Sequence, residues 1–250
     1  METIQGVRTK LLLVSNTHGA VRIPLAQSFN YTPKLTERTI NEFDNLEAAQ
    51  VVTTFDGVDC SFDYLDSDSK LVDAMFADVD PAATVVIDDP SNYQQVTVFA
   101  NMKALTTGKI FSSVLVKACR AKGSPYTEPV KEEARITRDL SGTNALKIKG
   151  KAIQYDRILA TGSSGFAQGA TNAYTDIAFA ASTPWAAALS KTAVIFDGAS
   201  GYDLYVLKDG NPVTTGYTMT ASGFTPTGSS GYSGPTVDEI WEVFYLYSDV

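Results

Sequence analysis

Polar and apolar residues alternate most clearly in Val51–Tyr64, VVTTFDGVDCSFDY, with the period of a half-buried strand. Asp56-Gly57 at its centre is a favoured dipeptide for a type I′ turn, whose two middle residues need positive φ. The stretch therefore predicts an antiparallel hairpin. In that register Phe55 pairs with Val58, Thr53 with Cys60 and Val51 with Phe62 on a mostly apolar face. Thr54, Asp59, Val52, Ser61, Gln50 and Asp63 fall on the other, mostly polar face. A one-residue slip would carry the aspartates into the apolar layer, so turn and face pattern agree.

The same reading along the chain predicts strands at Arg8–Val14 and Val21–Leu25, separated by a turn at Asn16–Gly19 that contains His18. Ser28–Asn45 is polar, contains Pro33 and alternates little, so it reads as a long loop, and long loops in compact domains are often functional. Leu71, Val72, Met75, Phe76 and Val79 recur at helical spacing behind the candidate caps Ser67–Ser69, which predicts one short helix against a sheet. Strands follow at Thr84–Ile87, Gln94–Ala104, Lys109–Cys119, Val130–Thr137 and Ala145–Tyr155. In the last, Leu146, Ile148 and Ala152 alternate with Lys147, Lys149 and Lys151, and a bulge between Gly150 and Ile153 accounts for the phase change beyond it. After Ile158 the chain turns rich in Gly, Ala, Ser and Thr, which places a linker and boundary near 160–170. Beyond it come strands at Ala193–Phe196, Asp203–Lys208, Tyr217–Ala221 and Ile240–Tyr247, with a second Asp-Gly turn at Asp209-Gly210. The fold class is mainly β, in two units, 1–160 and 161–250.

Composition narrows the function. A length of 250 residues can bury a real core. A net charge of −8 argues against a general nucleic-acid or membrane-surface binder. Residues 1–80 hold 6 basic and 13 acidic side chains, 81–160 hold 12 and 7, and 161–250 hold 2 and 8. A basic middle between acidic ends suits subunits that meet in a fixed polarity, and equally suits chance unevenness. Cys60 and Cys119 sit in apolar strands and read as small core hydrophobes. The apolar run Leu11–Val14 is too short for a signal-peptide core or a bilayer span, so synthesis in the cytoplasm without export by that route is expected.

Catalytic chemistry is hard to assemble. His18 is the single histidine and cannot supply both a triad and its support. Two separated cysteines with one histidine do not make a zinc site. Asp63, Asp66, Asp68 and Asp73 superficially resemble a calcium loop, but the required glycine and terminal glutamate are missing, and acids collect at a helix N-terminus anyway. Gly162–Gly169 lacks the Gly-Lys-Ser/Thr ending of a phosphate loop. Trp185 and Trp241 read as core or interface anchors, with sugar stacking the minority view. No catalytic, cofactor or metal residue is assigned.

The order of elements in residues 1–158, above all Tyr31–Asp80 and Gln94–Ile158, resembles the tail tube proteins of tailed bacteriophages and the related contractile-injection tube proteins. The resemblance implies a β-sandwich or half-barrel with one flanking helix, six copies pairing into a ring with an inner barrel, and rings stacked into a DNA conduit. It implies no cofactor. Its partners would be copies of this chain, tape measure protein and DNA transiently in the lumen, tail tip or baseplate and terminator proteins, with or without a sheath, in a virion assembled in a host cytoplasm. Carried onto this chain, Ser28–Asn45 is the inter-ring loop, with Tyr31, Lys34, Arg38, Glu42 and Asp44 as contacts. The polar face Thr54, Asp59, Ser61 and Asp63 is a candidate lumen lining. Lys147, Lys149 and Lys151 fit a repulsive lumen poorly and are assigned to a subunit interface. Thr175–Val250 resembles an appended outer β-sandwich whose removal should leave assembly intact. Another virion component (decoration or baseplate) and a carbohydrate-binding β module remain as alternatives, with an enzyme last.

Overall fold

The computed structural model describes residues 7–15, 19–23, 28–41, 48–65, 94–123, 126–127, 135–159, 177–178, 187–196, 201–226 and 239–248. The strands are β1 (Val7–Ser15), β2 (Gly19–Arg22), β3 (Ser28–Asn41), β4 (Ala48–Leu65), β5 (Val96–Ala104), β6 (Ile110–Gly123), β7 (Tyr126–Thr127), β8 (Arg135–Gly142), β9 (Asn144–Lys149) and β10 (Ala152–Leu159). They continue as β11 (Ile177–Ala178), β12 (Ala187–Ala188), β13 (Asp203–Lys208), β14 (Asn211–Pro212), β15 (Tyr217–Met219), β16 (Gly223–Pro226) and β17 (Ile240–Tyr247). No helix falls among the described residues. The expected helix at 71–79, the strand at 84–87 and His18 lie outside them.

β6 is the hinge of a nine-stranded sheet in the order β2-β1-β5-β6-β8-β4-β3. One edge of β6 pairs with β5. Its other edge pairs first with β9, from Ser112 to Lys117, and then with β8, from Arg120 to Gly123. Ala118, between the two, has φ +50, the local kink that lets one strand serve two directions. The result is two wings. One wing holds β2, β1, β5, β9 and the start of β6; the other holds the end of β6 with β8, β4 and β3.

Three cores follow, each between two layers. Leu11, Leu13, Val98, Val116, Cys60, Phe62 and Leu140 fill the space between the wings. Leu12, Val14, Phe99 and Leu115, on the opposite face of the first wing, meet Ile153, Tyr155, Phe244 and Leu246 of a five-stranded sheet, β11-β10-β17-β13-β14. The far face of that sheet, with Val206, Trp241, Val243 and Tyr245, meets Ala187 and Phe224 of the three-stranded sheet β12-β16-β15. The first wing and the five-stranded sheet are thus covered on both faces. This explains why Leu11–Val14 runs apolar without alternation: odd and even residues serve different cores.

The hairpin expected at Asp56-Gly57 does not form. β4 runs through it and pairs with β3 along its length, Phe62 with Phe29, Cys60 with Tyr31 and Phe55 with Leu35. The register shifts between Lys34 and Leu35, so Gly57 and Phe55 face consecutive residues of β3 and Asp56 is the extra one. Asp56-Gly57 is therefore a bulge, with Gly57 at φ +118. A turn and a bulge can both call for positive φ at glycine, and the dipeptide alone does not choose between them. Ser28–Asn41, expected as loop, is the partner strand that decides the matter. The second Asp-Gly does make the expected turn: Lys208 pairs with Asn211 across Asp209 (φ +47) and Gly210 (φ +78).

The expected continuous strand Ala145–Tyr155 is also broken. Gly150 (φ +70) is a corner where the chain leaves β9 in the first wing and enters β10 in the five-stranded sheet. Asn101 of β5 holds that corner. Its side-chain amide donates to the Ile153 carbonyl at 2.9 Å and accepts from the Ile153 N–H at 3.0 Å, so it substitutes for a neighbouring strand. Ser113 donates to Asn101 Oδ1 at 2.7 Å. Asn101→Ala should cost about 1–3 kcal/mol, because the buried Ile153 backbone groups lose their partner. Urea denaturation checks this, and a loss under about 0.5 kcal/mol would contradict it.

Candidate assembly surface

β4 alternates as its sequence demands. Val58, Cys60, Phe62 and Tyr64 are buried in the core between the wings, while Asp59, Ser61 and Asp63 face outward and are half-buried. The neighbouring strands extend this wet face in rows: Ser28–Asp63–Thr137, Asn30–Ser61–Asp139 and Thr32–Asp59–Ser141. Asp63 accepts from Ser28 Oγ and Thr137 Oγ1, both at 2.8 Å. Asp59 joins four strands: it pairs with Lys34 Nζ of β3 at 2.8 Å and with Lys122 of β6, while Lys34 also reaches Ser141 of β8. Burial pushes the Asp59 carboxyl up, but the hydrogen bonds from Lys122 and Lys34 outweigh it and hold the group below its ordinary value. The same bond to Asp59 raises the Lys34 ammonium. These pairs are too exposed to stabilise the fold much, and they serve to order the face.

Thr54 lies beyond the bulge, exposed and opposite Thr36. By the ladder register it shares the face of Asp59, Ser61 and Asp63, so all four candidate lumen residues come together. Those of the expected interface residues whose side chains are described lie on different surfaces. Lys34 is on this wet face, whereas Tyr31 packs against the core between the wings. Arg38 pairs through its backbone with Val52, and Glu42 and Asp44 lie outside the described residues. Lys147 and Lys149 are exposed on β9. Lys151 sits past the Gly150 corner, with Nζ on the Ile195 carbonyl at 3.4 Å.

β8 pairs with β4 only from Val58 to Leu65. The remaining pairs, from Leu35↔Phe55 to Asn41↔Ala48, form a two-stranded ribbon of roughly 23 Å at about 3.3 Å per residue. No other strand among the described residues joins it. At its base Leu35 and Phe55 are cross-strand neighbours and are 60% and 48% exposed. Among the described residues, β3 has a pairing partner on one edge only, as does β9. Reading Ser28–Asn45 as loop hid this feature, although the β-branched Thr32, Thr36, Thr39 and Ile40 were a visible signal.

Trp241, the sugar-stacking candidate, is 2% exposed. It packs edge-on to Tyr217 and against Phe224, with its indole N–H donated to Glu239 at 2.7 Å. It presents no platform for a ring. Trp185 lies outside the described residues. Among the described residues no group of three or more His, Cys, Asp or Glu is placed to hold a metal.

The described residues thus form a layered β structure whose distinctive surface, among those residues, is an open-edged, ribbon-bearing wing. No protein-family model matches it, and no curated protein does. Among solved structures it is similar to the PVC extracellular contractile injection system, sheath–tube complex in the extended state (7% identity, 57% of this chain and 88% of that chain, TM-score 0.37). It is similar to the SPP1 tail tube (14% identity, 56% and 76%, TM-score 0.36) and to Hcp1 from Salmonella typhimurium (10% identity, 57% and 87%, TM-score 0.34).

Proposed function

We propose that this chain is a self-assembling structural subunit of a phage-tail-type tube, with copies closing into rings, hexameric on the family resemblance, that stack into a conduit for DNA ejection. The observation that carries this reading is the β3–β4 ribbon. An isolated two-stranded ribbon is marginal in water, and among the described residues this one exposes an apolar pair and an unpaired edge, features that another copy would cover. The wet face of Thr54, Asp59, Ser61 and Asp63 would then line the lumen. Lys34, Arg38 and the β9 lysines Lys147 and Lys149 would lie at contacts between copies. Tape measure protein, DNA, tail tip and terminator proteins are the partners of this reading, and a virion tail is its location. Residues 161–250 would form the outer layers.

Negative-stain electron microscopy over a concentration series, paired with light scattering, tests it. Hollow tubes or rings with a central pore are expected. A monomer that stays monomeric even with seeds of its own tail tip would overturn the reading. Phe55→Asp should raise the concentration needed for assembly by roughly tenfold or more, the scale of losing one interface anchor. Because Phe55 is already half exposed, the melting temperature should stay within a few degrees, and a marked fall in melting temperature alongside the weakened assembly would mean that Phe55 serves the fold instead.

A further inference from the structure

Glu242 is the middle of a cross-strand row in the five-stranded sheet, opposite Arg157 of β10 and Leu207 of β13. It lies on the same face as Phe244 and Leu246, which pack against the first wing. Its exposure is 0%. Oε1 accepts from Tyr155 Oη at 2.8 Å, but Oε2 has no hydrogen-bond partner among the described residues. Glu242 is among the residues around a groove at the seam between the two sheets, which also includes Arg120 and Asp209, both exposed to solvent. A dry carboxylate with one unsatisfied oxygen is costly, whereas the protonated acid is far less so.

We infer that Glu242 is a proton-binding site that couples the packing of the five-stranded sheet on the first wing to pH, holding the layers closed when protonated and loosening them when ionised. The groove supplies the path by which solvent reaches the proton. The groups around Glu242 are mixed in sign. Burial favours the acid and dominates, raising Glu242 from its ordinary value to about 7, while the hydrogen bond from Tyr155 and the charge of Arg157 on β10 favour the ionised form. Tyr205 of β13 is itself pushed up, first by burial and then by the Glu242 charge. Lys117 of β6 lies over the Tyr205 ring at 4.5 Å and donates to the Leu204 carbonyl, so its charge is already engaged. Arg120 and Asp209 on the rim are opposite in sign and solvated.

The sign follows from linkage. With the folded value above the unfolded one, the folded state binds more protons between them, so stability is full below the ordinary glutamate range and falls as pH rises through about 7. Between about pH 5.5 and 8.5 the closed-to-open ratio should drop roughly thirtyfold in the natural protein. Glu242→Gln, neutral throughout, should remove that drop.

Amide hydrogen exchange of β10, β13 and β17 at the two pH values, corrected for intrinsic exchange, reads it directly. An equal pH dependence in the natural protein and in Glu242→Gln would overturn the inference. The carboxyl carbon resonance of Glu242 in the unmutated, labelled chain gives a second readout that needs no variant. A midpoint near 7 is expected, and one in the usual range of 4 to 5 would overturn it.

Discussion

Gly57→Ala is expected to cost about 2–4 kcal/mol, a large effect for deleting no contact. Two penalties combine. At φ +118 the backbone lies where L side chains are strained. A Cβ built there would also stand 2.7 Å from the Gly142 carbonyl oxygen, a backbone atom that cannot swing aside. Relief would require β4 to move from β8 at Val58↔Gly142, the end of their ladder. Gly150→Ala is the control. Its φ is +70, but nothing lies within 4 Å of the added Cβ, so only the conformational cost of about 1 kcal/mol should appear. Urea denaturation of both variants separates strain from collision. Equal losses would mean that β4 yields freely and that the bulge is not held by its neighbour.

Cutting the chain after residue 160 is expected to leave a fragment that does not fold. The sequence alone suggests the opposite, because the composition break near 160–170 looks like a removable joint. Yet β10 lies before that break and takes its long antiparallel partner, β17, from after it, with Ala152 facing Tyr247 and Leu159 facing Ile240. The cut would uncover Leu12, Val14, Phe99 and Leu115 on one side and Ile153 and Tyr155 on the other. At about 1.5–3 kcal/mol for each buried side chain, the loss is on the order of 10 kcal/mol, comparable with the whole stability of a typical domain. Aggregation or dye-binding exposed apolar surface is expected for residues 1–160. A soluble fragment with a single cooperative melt would show that the outer layers are dispensable.

Within the five-stranded sheet a second buried acid behaves differently from Glu242. Asp156, 1% exposed, accepts from Tyr245 Oη at 2.7 Å, from the Ser190 N–H at 2.9 Å and from Ser190 Oγ. The two buried acids lie on opposite faces of the sheet, Asp156 on the face of Ile158 and Glu242 on the face of Phe244.

Much of this fold was written locally. The alternation of β4, the lysine-lined face of β9, the apolar runs of β1 and β5 and the Asp209-Gly210 turn depend on neighbours a few residues apart, and all are legible from order alone. Mainly β architecture follows from them. The three-strand polar rows of the wet face were half legible: Asp59, Ser61 and Asp63 share a face by period two, but Lys34, Lys122 and Ser141 join Asp59 only through strand pairing. What the chain order could not decide was which strand lies beside which. Asp-Gly stands between β-prone runs at both 56–57 and 209–210; at 209–210 the flanking strands pair with each other, and at 56–57 they continue as one because β3 lies alongside both. Positive φ at glycine is a local property that the sequence encodes. Whether it turns a chain back or only bulges it depends on a partner strand, and that choice is made by the packing of the whole.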